Sequence, residues 1–165
     1  MPELDPHARI QPSRPAHAVL AFDFGLKRIG IAAGDTLTGR AAPRLAAAML
    51  PKGPEWAVID REVRELAPRW LVVGIPYNAE GGAGRLTEAA RRFGAALRER
   101  YGLEVEYVDE RWSSLEAGAA LKQGRAEGSR TRRVRREHVD SAAAAVILER
   151  WLAGERAGSF RQIDR

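Results

Sequence analysis

Short apolar runs alternate along this chain with segments whose apolar residues recur at helical spacing. The first run, Ala18-Val19-Leu20-Ala21-Phe22, is short for a helix and typical of a strand buried on both faces. Asp23 interrupts it, Gly25 follows, and Ile29-Gly30-Ile31-Ala32-Ala33 reads as a return strand. Residues 18–33 therefore predict a β-hairpin with an acid near its centre and Lys27 and Arg28 at its tip. A turn-rich stretch, Gly34-Asp35-Thr36-Leu37-Thr38-Gly39, leads to a third short strand over 42–47, which completes a meander. Helical spacing at Trp56, Ile59, Val63 and Leu66 predicts a helix over 55–66, ended by Pro68.

Trp70-Leu71-Val72-Val73-Gly74-Ile75 is a second continuous run, a buried strand parallel to the first. The glycine-rich stretch 76–84 leads into a helix over about 85–100, stopped by Tyr101-Gly102. Residues 105–108 form the next strand, and Ser113 and Glu116 have the capping-box spacing that starts a helix running to about Gln123. A strongly apolar helix over 139–152 closes the order. Three strands, helix, strand, helix, strand and two helices make a mixed α/β domain with helices on both faces of a central sheet.

Composition narrows the setting. A chain of 165 residues is most simply one domain able to bury a single core. No apolar run is long enough to span a bilayer, and residues 1–18, with four prolines, have no apolar core to act as a secretion signal. They predict a disordered arm over 1–17, followed by a domain over 18–153 and a tail over 154–165. The absence of cysteine excludes disulfides and thiolate metal sites and fits a cytoplasmic location. A net charge of +5, with 27 basic residues that are mostly arginine, favours an anionic partner. Six of those arginines crowd into the twelve residues 125–136 without apolar periodicity, which predicts a mobile loop that grips a phosphate backbone.

Three acidic positions stand where burial disfavours a charge: Asp23, then Asp109 or Glu110, then Asp140. On a helical wheel Ala144, Ile147 and Trp151 share the face of Asp140, and Glu149 lies about opposite, so Asp140 falls on the apolar stripe. Asp23 could equally serve only to fix a turn, and Asp140 could complement a helix dipole. Carboxylates converging from neighbouring elements are what the hard cations Mg²⁺ and Mn²⁺ require, and such sites hydrolyse phosphodiesters. No histidine cluster competes, since His7 and His17 fall in the arm and His138 stands alone. No G-x-S-x-G, G-x-x-x-x-G-K or strand-linked G-x-G-x-x-G is present to support other common chemistries.

Four blocks, FDFGLKRIGIA at 22–32, VVGIPYNAEG at 72–81, VDERWSSLEA at 108–117 and VDSAAAAVILE at 139–149, together resemble the YqgF/RuvX family. These are RNase H-like proteins assigned as Holliday junction resolvases and as nucleases maturing the small-subunit ribosomal RNA precursor. The resemblance implies an RNase H-like, five-stranded mixed sheet in the order 3-2-1-4-5, and a divalent-metal site. By motif, Asp23, Glu110 and Asp140 match the family's catalytic acids and metal ligands. The chain departs from the pattern at Leu26, where the family often has Thr, and at Tyr77, Ala79 and Glu80, while Asn78 and Gly81 remain. Strict alternation from Val105 and Tyr107 turns Asp109 inward rather than Glu110, so Asp109 is held in reserve. In related resolvases the second acid follows the preceding strand, where this chain has Gly74-Ile75-Pro76.

The function so implied is metal-dependent hydrolysis of phosphodiesters in structured nucleic acid, either precursor 16S rRNA or junction DNA. Lys27, Arg28, Asn78, Arg111, Arg130, Arg132, Arg133, Arg135 and Arg136 are the candidate substrate contacts. Arg111 could instead pair with a buried acid. Two rival readings are a non-catalytic nucleic-acid-binding module on the same fold and an actin-like ATP-binding domain. The second needs two lobes and a second phosphate hairpin, for which the chain is too short.

Overall fold

The apolar run that opens the domain becomes the central strand because neither of its faces tolerates water. In the computed structural model, which describes residues 16–76, 84–109 and 136–157, with backbone alone at 136–140 and 155–157, this strand is β1 (Ala18–Phe24). The others are β2 (Arg28–Asp35), β3 (Ala41–Leu50), β4 (Gly53–Pro54), β5 (Trp70–Ile75) and β6 (Glu104–Asp109). The helices are α1 (Trp56–Leu66), α2 (Arg85–Tyr101) and α3 (Arg136–Ala157). They build a six-stranded sheet in the order β4-β3-β2-β1-β5-β6. The first three strands are antiparallel neighbours, and β5 and β6 run parallel to β1.

The expected order is therefore observed, with one strand more than five. Gly53 and Pro54, which read as punctuation in the sequence, pair with Leu50 and Met49 as β4. β3, expected over 42–47, runs longer, over Ala41–Leu50, while β1, β2, β5, β6, α1 and α2 lie close to their predicted bounds. α2 stops where Gly102 adopts φ 63°, and α1 stops at Ala67, φ 44°, just ahead of Pro68. His17, expected in the arm, is docked instead. Its carbonyl accepts from the Thr36 N–H at 3.0 Å, and its ring meets Trp70 edge-on at 5.5 Å. α3 also extends past the predicted tail boundary to Ala157. The helix expected over 113–123 lies outside the described residues.

Alternation along β1 divides the core in two. Leu20, Phe22 and Phe24 join Ile29, Ile31, Leu71 and Val73 beneath α1 and α2, where Ile59, Phe93 and Leu97 cover them. Val19 and Ala21 join Ala32, Val72 and Val108 beneath α3, against Ala144, Ile147, Leu148, Trp151 and Leu152. Alanines on both sides of the second interface let the helix lie close to the sheet. Gly34 shows how close: a Cβ there would stand 2.5 Å from the Arg40 carbonyl oxygen and 3.1 Å from the Leu148 side chain. The helical-wheel reading holds for the described part of α3, with Ala144, Ile147 and Trp151 buried and Glu149 exposed.

Ion pairs made by Arg44 and Arg100 brace the α1 side. Glu62, only 2% exposed, accepts from Arg44 of β3 through both carboxylate oxygens, at 2.8 and 3.3 Å. Asp60 accepts from Arg100 at 2.8 and 2.7 Å and from the Tyr101 hydroxyl at 2.6 Å, which ties α1 to the end of α2.

Candidate active site

The carboxyl ends of the parallel strands β1, β5 and β6 lie side by side, the edge where open α/β sheets bind ligands. Asp23 stands there on β1, half-buried, with Gly30 of β2 and Gly74 of β5 as its register partners. Neither neighbour carries a side chain, so the carboxylate is not crowded along its own row of the sheet. Asp23 shares the parity of Val19 and Ala21, which places it on the α3 face. The same row continues through Gly74 to Val108 of β6.

α3 is pinned over this row by Ser141. Its side chain is 2% exposed, and its Oγ accepts from the Ile31 N–H at 3.4 Å. The β2–β3 register shifts between Ile29 and Ile31, and Ser141 meets the strand at that irregularity. Ile31 adjoins Gly30, the partner of Asp23, so the backbone of Asp140, one residue before Ser141, lies on the face of the sheet that Asp23 occupies. The side chain of Asp140 lies outside the described residues, as does Glu110.

Asp109 is described, and it sits on the other side of the sheet. Its register partner is Ile75, and its parity is that of Val105 and Tyr107, which pack toward α2. The alternation argument thus assigns Asp109 a face, but not the face of Asp23. With helices on both faces there is no single inward side for parity to select. Val108, two residues before Glu110, is on the Asp23 face.

The hairpin tip is firmly held. A Cβ on Gly25 would lie 2.6 Å from the Arg28 carbonyl oxygen, and the Lys27 carbonyl accepts from the Met49 N–H at 2.9 Å. Lys27 is exposed and Arg28 half-buried. Asn78, Arg111, Arg130, Arg132, Arg133 and Arg135 lie outside the described residues, and Arg136, expected in the loop, begins α3. Both ends of the glycine-rich stretch are gathered by Thr87, a residue that sequence patterning passes over. Its buried hydroxyl accepts from the Gly84 N–H at 3.1 Å and donates to the Pro76 carbonyl at the end of β5. A lone hydroxyl in a helix's first turn has no distinguishing sequence signal beyond its capping position.

Perturbed carboxylates elsewhere have structural causes. The Arg100 guanidinium, through its hydrogen bonds, lowers Asp60 to about 2. Asp35 is lowered chiefly by the Thr38 backbone N–H, against a smaller opposing effect of burial. Among the described residues no three His, Asp or Glu side chains could hold a metal ion together; Glu110 and the Asp140 side chain are not among those residues.

The family described as RuvX, Holliday junction resolvase, matches residues 17–154. The chain belongs to this family. A protein of Nitrosococcus oceani named "Putative pre-16S rRNA nuclease" is 42% identical over 146 residues, covering 88% of this chain and 91% of the relative. A protein of the same name from Xanthomonas euvesicatoria is 43% identical over 140 residues, covering 85% and 90%. Among solved structures, T. thermophilus RuvC in complex with a Holliday junction substrate superposes with a TM-score of 0.51 at 16% identity. That match covers 87% of this chain and 97% of the other. A further Thermus thermophilus RuvC structure gives 0.50 at 15% identity, over 86% and 97%. At such identity the likeness establishes the shared RNase H-like fold, here with six strands. No described helix is long and apolar enough to cross a membrane.

Proposed function

We propose that this protein is a divalent-metal-dependent endonuclease that trims the 5′ side of precursor 16S rRNA in the cytoplasm, with branched DNA junctions as a second substrate. The observation that carries this reading is the position of Asp23. It is an acid at the carboxyl end of the central strand, between two glycines, on the face that α3 enters with Asp140. The family match and the names of the relatives supply the substrate classes.

Asp23, Glu110 and Asp140 are the metal ligands of this proposal. Their donors are all carboxylate oxygens, which fit Mg²⁺ or Mn²⁺ and suit softer ions poorly. When bound, the cation supplies Lewis acidity and charge neutralisation at the scissile phosphate. The protein's own work is positioning. β1 holds Asp23, the Ser141 contact fixes the start of α3, and Thr87 links Pro76 to Gly84, the residues on either side of the stretch that contains Asn78. Lys27, Arg28, Arg111 and the arginines Arg130, Arg132, Arg133, Arg135 and Arg136 hold the flanking phosphates.

The test is cleavage of a precursor 16S rRNA fragment and of a four-way DNA junction, each with Mg²⁺, Mn²⁺ or EDTA. Metal-dependent cleavage of the RNA at a defined 5′ site is expected. Binding of both substrates without cleavage in either metal would reduce the protein to a nucleic-acid-binding module.

A further inference from the structure

The most exposed large apolar side chain among the described residues is Leu26, at 73% exposure on the tip of the β1–β2 hairpin. A single exposed leucine on an arbitrary surface needs no explanation. This one differs in its surroundings. It lies three residues from Asp23, is followed by exposed Lys27 and half-buried Arg28, and belongs to a turn that cannot readily fold it away. Gly25 packs against the Arg28 carbonyl, and the Lys27 carbonyl is bonded to β3, so the tip is a fixed platform. The same end of the sheet carries Leu50, 48% exposed, and exposed Lys52.

We infer that Leu26 packs on the base or sugar of a nucleotide bound at the Asp23 end of the sheet, while Lys27 holds the adjoining phosphate. The inference rests on the nucleic-acid reading of this site and adds to it a residue chosen for apolar contact. A nucleotide offers an apolar ring or sugar beside an anionic group, and consecutive Leu and Lys on a rigid turn match that alternation. An acidic or purely apolar partner would use only half of it. The contact is insensitive to sequence, because every base and every sugar has an apolar surface. It also separates two kinds of binding: a phosphate contact releases counterions and is salt-dependent, whereas a leucine contact is not.

The experiment measures binding of a fluorescein-labelled precursor 16S rRNA leader fragment by anisotropy, in EDTA so that no cleavage intervenes, at several salt concentrations. Leu26→Ser should weaken binding roughly fivefold to tenfold, the loss of one partly buried leucine, with the salt slope unchanged. Lys27→Ala should reduce that slope by about 1. Leu26→Met, which restores the apolar surface, should recover most of the affinity. The melting temperature of Leu26→Ser should match the wild type, because so exposed a side chain adds little to folding. Unchanged affinity in Leu26→Ser, or a loss in Leu26→Met as large as that in Leu26→Ser, overturns the contact. Cleavage is read separately with Mg²⁺, so a wild type that binds without cleaving overturns the nuclease reading and not this one.

Discussion

Replacing Ser141 by Ala removes the hydrogen bond that, among the described residues, links the start of α3 to β2, while leaving the apolar packing of the helix intact. The Ile31 N–H would lose its acceptor at a site where Ser141 is 2% exposed, so water cannot easily replace it. A buried donor left without a partner costs about 1–3 kcal/mol, and the 3.4 Å length of this bond places it at the lower end, about 1 kcal/mol. For a domain of this size that lowers the melting temperature by about 2–4 °C. Against a typical stability of roughly 5–15 kcal/mol the folded fraction at 25 °C is unaffected. Turnover should nevertheless fall about tenfold, because Asp140 adjoins Ser141 and small displacements of reacting groups are costly. Thermal melting and single-turnover cleavage on the same preparations measure both effects, and Ser141→Cys, a weaker acceptor of similar shape, should fall between. Wild-type turnover in Ser141→Ala, with the melting temperature lowered as expected, would refute the claim that this contact positions the site.

Glu62→Gln should cost roughly 1–2 kcal/mol by weakening a charge-assisted pair with Arg44, and should leave turnover per folded molecule unchanged, as urea melts and cleavage assays will show. Asp60 is held below its ordinary 3.8, at about 2, so its stabilising effect is complete above pH 4 and is lost as pH falls toward 2. Urea melts between pH 2 and 5 should show Asp60→Asn lacking that part of the acid-induced loss; equal slopes in both proteins would contradict the assignment. Neutralising Arg130, Arg132 and Arg133 together should lower the log–log salt slope of RNA binding by about 2–3, and an unchanged slope would leave the segment a linker.

Much of the fold is legible in the sequence because burial on both faces leaves a direct trace. β1 and β5 are continuous apolar runs, and the wheel position of Ala144, Ile147 and Trp151 predicts the face that α3 buries. Features resting on single contacts leave no such trace. Gly53-Pro54 reads as a break, yet two backbone pairings make it a strand. Glu62 looks like any solvated helix acid until Arg44 arrives from β3. Arg136 shares its composition with the arginine cluster but takes its conformation from the helix that follows.

The candidate site is legible in part for the same reason. Asp23 is recognisable because a carboxylate ending a buried strand is anomalous, but its glycine neighbours come from two other strands and only register brings them beside it. Ser141 and Thr87 are ordinary hydroxyls until the structure shows what they hold. The choice between Asp109 and Glu110 depends on which helix layer lies over which face, and strand alternation carries no information about that.

The central claim, that Asp23 serves metal-dependent cleavage rather than turn geometry, is tested by comparing Asp23→Asn with the wild type in metal-free melting and in cleavage. With Glu110 and Asp140 beside it, as proposed, removing the Asp23 charge relieves repulsion, so metal-free stability should change little or rise. Turnover should fall by orders of magnitude, and Mg²⁺ should raise the melting temperature of the wild type more than that of the variant. A variant that loses stability yet cleaves normally per folded molecule would contradict the account.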